Sequence, residues 1–280
     1  MSKLSFRHMI RLLLLGMFMY PAILTAQGDL LITPRRVVFE GNKRSMDLSL
    51  ANIGKDTATY SISLVQIRMT ETGGFETITE ADEGQQFASP YLRFFPRSVT
   101  LKPEEVQTVK IQAVRTGGLA PGEYRSHLYF RAKPKEKPLG EEIPKQEEQA
   151  TISINLVPVF GITIPVIIRV GEPTYNVTLS DPELTFENDT IPRLSFVFNR
   201  SGDYSVYGDI SVDHIAPDGT VTRVGIAKGI AVYTPNATRK FTFNLFKGQV
   251  DYKNGKLLIT YSAPSDVRPE QYAEATLNLK

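Results

Sequence analysis

Met46-Asp47-Leu48-Ser49-Leu50, Tyr60-Ser61-Ile62-Ser63-Leu64 and Ile152-Ser153-Ile154-Asn155-Leu156 place an apolar side chain at every second position. Successive side chains of an extended chain point to opposite faces, so this period sets one apolar face against a core. Val106 to Ile111 repeats the pattern, and Tyr124 to Arg131 reads as a further strand with Leu128 and Phe130 on one face. Turn-forming clusters separate the runs: Asn52-Ile53-Gly54, Gly73-Gly74, Lys102-Pro103 and Ala120-Pro121-Gly122. Short alternating strands with turns between them specify an all-β protein built as a sandwich or barrel.

Working outward, two breaks organise the chain. Lys133 to Gln149 is rich in Lys, Glu and Pro and has too little apolar surface to bury. It is expected to be a mobile loop, either a solvated insertion or a segment that engages a partner. The second break, Gly171-Glu172-Pro173, follows the apolar run Ile162 to Val170 and precedes a new set of strands. Those strands include Leu194 to Phe198, Tyr204 to Val212, Thr238 to Phe246, Lys256 to Tyr261 and Ala273 to Leu279. Asp218-Gly219 and Asn254-Gly255 are hairpin-turn dipeptides between such runs. The expected organisation is a signal peptide over 1–26, one immunoglobulin-like sandwich over 27–170 and a second over 171–280.

The N-terminus carries the export signature. Lys3, Arg7 and Arg11 precede the mostly apolar run Leu12 to Leu24, which is short for a membrane span, and Ala26 offers a small residue for cleavage. The chain has no cysteine, so neither disulfides nor a cysteine-linked lipid contributes. Stability must come from buried core, for which about 250 residues after the signal suffice for two domains. The formal charge of +2 becomes −1 once the three basic residues of the signal are removed. That balance points to neither nucleic acid nor anionic lipid as a partner. No membrane insertion is expected after cleavage.

Catalytic patterns are missing. There is no thiol nucleophile, GxSxG elbow, HExxH or P-loop. His127 and His214 each stand alone within a strand and read as structural. Asp218-Gly219 lacks the further ligands of a calcium loop. No enzyme activity, metal or cofactor is expected, and a hydrolase on a sandwich scaffold is the weakest reading. The Asn-X-Ser/Thr sequons at Asn176, Asn188, Asn199 and Asn236 would suggest glycosylation in a eukaryotic secreted protein; in a bacterial one, the reading preferred, they are chance in a region rich in Asn and Thr.

Four segments in order resemble a known family. Ile32-Thr33-Pro34-Arg35-Arg36-Val37-Val38-Phe39 with Met46 to Asn52 looks like the opening of the PapD-like periplasmic chaperones of pilus assembly. Ser89 to Pro96 with Leu101-Lys102-Pro103 and Gln107 to Ile111 is similar to the middle of the family's first domain. Gly122 to Leu128 resembles the next strand in some branches of the family, and Ile162 to Val166 the last strand of its first domain. The resemblance covers residues 30 to 170 and extends to the second domain by size and strand content alone.

That resemblance implies two immunoglobulin-like domains that hold a pilus or fimbrial subunit lacking its last strand and lend it one of their own, for delivery to an outer-membrane usher. Under it Ile152, Ile154 and Leu156 would be the lent apolar side chains, although a strand filling its own core alternates in the same way. Arg36 takes the position of the arginine that anchors the subunit's carboxylate, a task for which a guanidinium can give two parallel hydrogen bonds. As a plain sequence feature, Arg36 reads equally as an exposed charge at a strand border. The family's accompanying lysine falls on Thr163, a departure that leaves a hydroxyl where a cation is expected, with Arg35 as a candidate substitute. The expected compartment is the periplasm. The alternative is a structural or adhesive immunoglobulin-like protein at the cell surface.

Overall fold

The computed structural model describes residues 30–134, 159–264 and 270–279, and within them the chain is almost entirely β-strand with no α-helix. The first sandwich comprises β1 (Leu30–Thr33), β2 (Val37–Phe39), β3 (Ser45–Asn52), β4 (Ala58–Met69), β5 (Phe75–Ile78), β6 (Leu92–Phe95), β7 (Ser98–Leu101), β8 (Val106–Ala113), β9 (Gly122–Ala132) and β10 (Gly161–Val170). One sheet runs β1-β3-β8-β6, and the other runs β2-β10-β9-β4, with β5 and β7 both pairing with β4. The two inner faces bury Phe39, Leu48, Leu50, Leu101, Ile111, Leu128 and Phe130. Leu48, Leu50, Val109 and Ile111 stand at alternate positions of β3 and β8, as the period predicts.

The opening strand is divided between the sheets. Leu30–Thr33 pairs antiparallel with β3, and after Pro34-Arg35-Arg36 the chain continues as Val37–Phe39, parallel to β10. A strand that changes sheets in this way closes a corner of a sandwich. It also puts Arg35 and Arg36 at that corner.

The second sandwich comprises β11 (Tyr175–Glu187), β12 (Ile191–Gly202), β13 (Val206–Ile215), β14 (Val221–Val232), β15 (Thr238–Asn244), β16 (Lys256–Ser262) and β17 (Gln271–Asn278). Its sheets run β11-β12-β15 and β14-β13-β16-β17 around Leu194, Phe196, Phe198, Ile210, Val212, Ile259 and Tyr261. Among the described residues no ladder joins a strand before Gly171 to one after it.

Asp218-Gly219 forms the expected hairpin. Gly219 has φ +88°, and the amide of Ala216 donates to the Thr220 carbonyl, joining β13 to β14. Asn254-Gly255 does not. The strands before and after it lie in different sheets, and Gly255, with φ +91°, is held against the carbonyl of Ile215 at the end of β13. The dipeptide supplies a left-handed residue at a tight backbone approach, which is a local need and does not require the flanking strands to pair. The β14 strand, in which glycine, alanine and charge break the apolar period, was not legible from alternation.

Ile152, Ile154 and Leu156, with most of the Lys133–Gln149 segment, lie outside the described residues. Among those that are described, no helix is long and apolar enough to cross a membrane.

Candidate functional site

The two sandwiches meet across the outer face of the β2-β10-β9-β4 sheet. β9 explains why. From Glu123 to Leu128 every residue is buried, so both faces of the strand are covered. Tyr124, Leu128 and Phe130 enter the core, while Glu123, Arg125 and His127 face the second sandwich. A small apolar seam of Met69, Ile167, Ala231 and Tyr233 lies between the domains. It is flanked by hydrogen bonds from Asn236 Nδ2 to the Met69 carbonyl (2.9 Å) and from the Lys240 amide to the Glu71 carbonyl (2.6 Å).

A buried polar knot completes the junction. The side chain of Glu123 is fully buried; its carboxylate accepts from the Ser205 amide at 3.0 Å, from the Ser205 hydroxyl and from Arg169 Nε at 3.1 Å. Arg169 also bonds Glu40 (2.8 Å) and the Ser205 carbonyl (2.8 Å), and its guanidinium lies 4.8 Å from the centre of the Tyr204 ring. Burial by itself would lower the basicity of Arg169. The carboxylates of Glu123 and Glu40 reverse that and raise it above the ordinary value.

Beside the knot opens a cleft of about 520 Å³. Arg35, Arg36 and Val38 line it from the first sandwich, and Ser205, Tyr207 and Tyr272 from the second. Arg36 reaches across it, with Cζ 4.7 Å from the centre of the Tyr207 ring. Its Nη1 is buried and, among the described residues, has no hydrogen-bond partner. A guanidinium stacked on an aromatic face at the lining of a partly enclosed groove is suited to an oxyanion.

The cleft adjoins an open strand border. β10 pairs with β9 over its whole length, Gly161 to Val170. On its other side β2 covers only Val166 to Ile168. Among the described residues nothing pairs with Gly161 to Pro165 on that side. Val159 and Phe160, just before this border, are exposed. Alternation continues through it: Ile164, Val166 and Ile168 are buried in the core, while Thr163 is exposed on the outer face, opposite Tyr129.

Of the residues singled out from sequence, Arg36 lines the cleft and Thr163 lies on the open border outside the cleft lining. Arg35 joins Arg36 there. Glu123, Arg125, Tyr207 and Tyr233 had not been singled out. The available signal was the run Glu123-Tyr124-Arg125-Ser126-His127, which places three polar side chains on one face of a strand whose other face is core. Burial on both faces becomes visible only when a second domain is in place.

No family model and no curated protein matches the chain. Among solved structures it is similar to the YadV chaperone, at 15% identity and a TM-score of 0.43 over 90% of this chain and 100% of that one. It is similar to the CupB2 chaperone of Pseudomonas aeruginosa, at 13% identity and 0.43 over 89% and 100%, and to the E. coli chaperone DraB, at 13% and 0.40 over 90% and 96%. The chain's own strands define its class as an all-β protein of two immunoglobulin-like sandwiches with a cationic cleft between them.

Proposed function

We propose that this protein is a periplasmic, non-enzymatic chaperone that caps pilus or fimbrial subunits by lending them a strand and passes them to an outer-membrane usher. One observation carries the reading: among the described residues β10 has an unpaired border over Gly161 to Pro165, and that border runs toward a cleft lined by Arg36. An uncovered border is a liability in a soluble protein, since its amides and carbonyls recruit other chains. Put to use, the same border gives main-chain hydrogen bonds to a partner strand, and alternate side chains give selectivity. Arg36 then fixes the register by holding the carboxylate at the partner's chain end. Ile152, Ile154 and Leu156, preceding the border in sequence, supply the alternating apolar set. With Thr163 outside the cleft lining, Arg35 is the better candidate for a second cation.

The test is co-expression with a β-sandwich subunit lacking its last strand, followed by gel filtration. A one-to-one complex is expected. Arg36→Ala should weaken it by about tenfold or more, the scale of a lost charge-assisted bidentate contact. Capture that is indifferent both to Arg36→Ala and to a polar residue at Ile154 would defeat the proposal.

A further inference from the structure

Arg125 and Arg36 bring two guanidinium groups to one tyrosine ring, and among the described residues neither is paired with a carboxylate. Arg125 is 2% exposed, with Cζ 4.1 Å from the centre of the Tyr233 ring. Its Nη2 donates to the carbonyls of Thr234 (3.2 Å) and Ile67 (3.5 Å), while Nε and Nη1 are buried without partners among the described residues. Arg36 Cζ lies 5.9 Å from the same ring centre, and its Nη1 is likewise buried and unpartnered. His127 flanks the ring at 6.4 Å with Nδ1 buried and unpartnered. Glu123, two residues before Arg125 on the same face, is committed to Ser205 and Arg169.

The chemistry of this cluster is unbalanced. Buried charges in folded proteins are paired, because an unpaired one forfeits its hydration. An aromatic face offsets part of that cost, and carbonyls satisfy some of the N–H groups, but neither cancels the charge. Two cations near one ring also oppose each other: burial lowers the basicity of Arg125, Tyr233 and Glu123 offset part of that, and Arg36 lowers it further.

We propose that the domain seam binds one small monatomic anion, chloride in ordinary buffers, held by Arg125 and Arg36 beside Tyr233. The size follows from enclosure. Arg125, His127 and Tyr233 are 2%, 3% and 5% exposed, which leaves no path for a carboxylate that carries a polypeptide behind it. The His127 ring is neutral at physiological pH and can add an N–H donor through Nδ1. The site shares Arg36 with the cleft, while Arg125, His127 and Tyr233 set it deeper in the seam; it stands without the chaperone reading, because its test reads chloride and not subunit capture. A water molecule would satisfy the free donors and leave the charge in place, so the experiment must separate ion from water.

Bromide-soaked crystals of the purified protein do so by anomalous scattering. A peak within hydrogen-bond reach of Arg125 and Arg36 is expected; bromide peaks elsewhere with none at the seam would overturn the site. In solution, chloride is titrated at fixed ionic strength against methanesulfonate, which is too large for the seam. Above saturation, a tenfold rise in chloride should lower the unfolding constant about tenfold. Arg125→Gln should abolish that dependence, and Arg36→Gln serves if the first variant does not fold. An equal chloride response in native protein and variant would also overturn the proposal.

Discussion

His127 sits among Arg125, Phe75 and Tyr233, and burial, then the charge of Arg125, pushes its pKa down to about 3. An unfolded histidine takes up a proton below about pH 6.5, whereas this ring resists until about 3. Between those limits the unfolded state binds more protons, so stability falls as pH drops from 6.5, by about 1.4 kcal/mol per pH unit. His127→Phe keeps an aromatic ring in the cluster and should flatten that slope, as read by urea unfolding between pH 4 and 7. Identical slopes in the two proteins would refute the assignment. The contrast with Arg36 shows what one residue's letter conveys. Arg36 was singled out only because Arg35-Arg36 before Val37-Val38-Phe39 resembles the opening of a known family. Arg125 and Glu123 were not, because a charge inside a strand reads as solvent-facing until something covers it.

At the scale of elements, β10 behaves as two strands in one. Val166 to Ile168 is paired on both sides and, among the described residues, Gly161 to Pro165 on one. Amide exchange should follow this division. In the free protein the amides of Val166 to Ile168 are expected to exchange slowly, and those of Gly161 to Ile164 that point away from β9 quickly. On capture of a partner strand the second group should become protected and the first should not change. Mass-resolved exchange with and without a truncated subunit reads this directly, and an unprotected Gly161–Ile164 stretch in the complex would rule out border pairing. The sequence announced β10 as an apolar run, and alternation announced β3, β8 and β9. It could not announce that β2 would stop after three residues, because the length of a pairing partner is set by where the chain leaves one sheet for the other. That exit, at Pro34 to Arg36, is a property of the folded corner.

For the whole molecule, the question is what fixes one sandwich against the other, since a cleft that both domains line has a shape only if they are held. Gly171-Glu172-Pro173 marked a boundary in the sequence, but nothing in composition marked the knot that spans it. Glu123 ties β9 to Ser205 and Arg169, and Arg169 ties β10 to the Ser205 carbonyl, with Glu123 wholly buried. Removing one member of a buried charged cluster strands the others, at about 3–5 kcal/mol, whereas an exposed pair contributes about 1 kcal/mol or less. Glu123→Ala should therefore destabilise the protein by roughly 3 kcal/mol or more by the first figure. By the second, Arg193→Ala, which breaks the half-exposed pair with Glu187 at 3.5 Å, should change little. The stronger expectation concerns shape. Without Glu123 the seam loses the buried acceptor shared by Ser205 and Arg169, so the sandwiches should sample wider angles. Small-angle scattering should then show a larger radius of gyration for Glu123→Ala than for the native protein under conditions where both are folded. If the two scatter alike and have the same stability, the knot does not set the domain angle. The cleft's shape must then come from the ring stack of Arg36, Tyr207 and Tyr233.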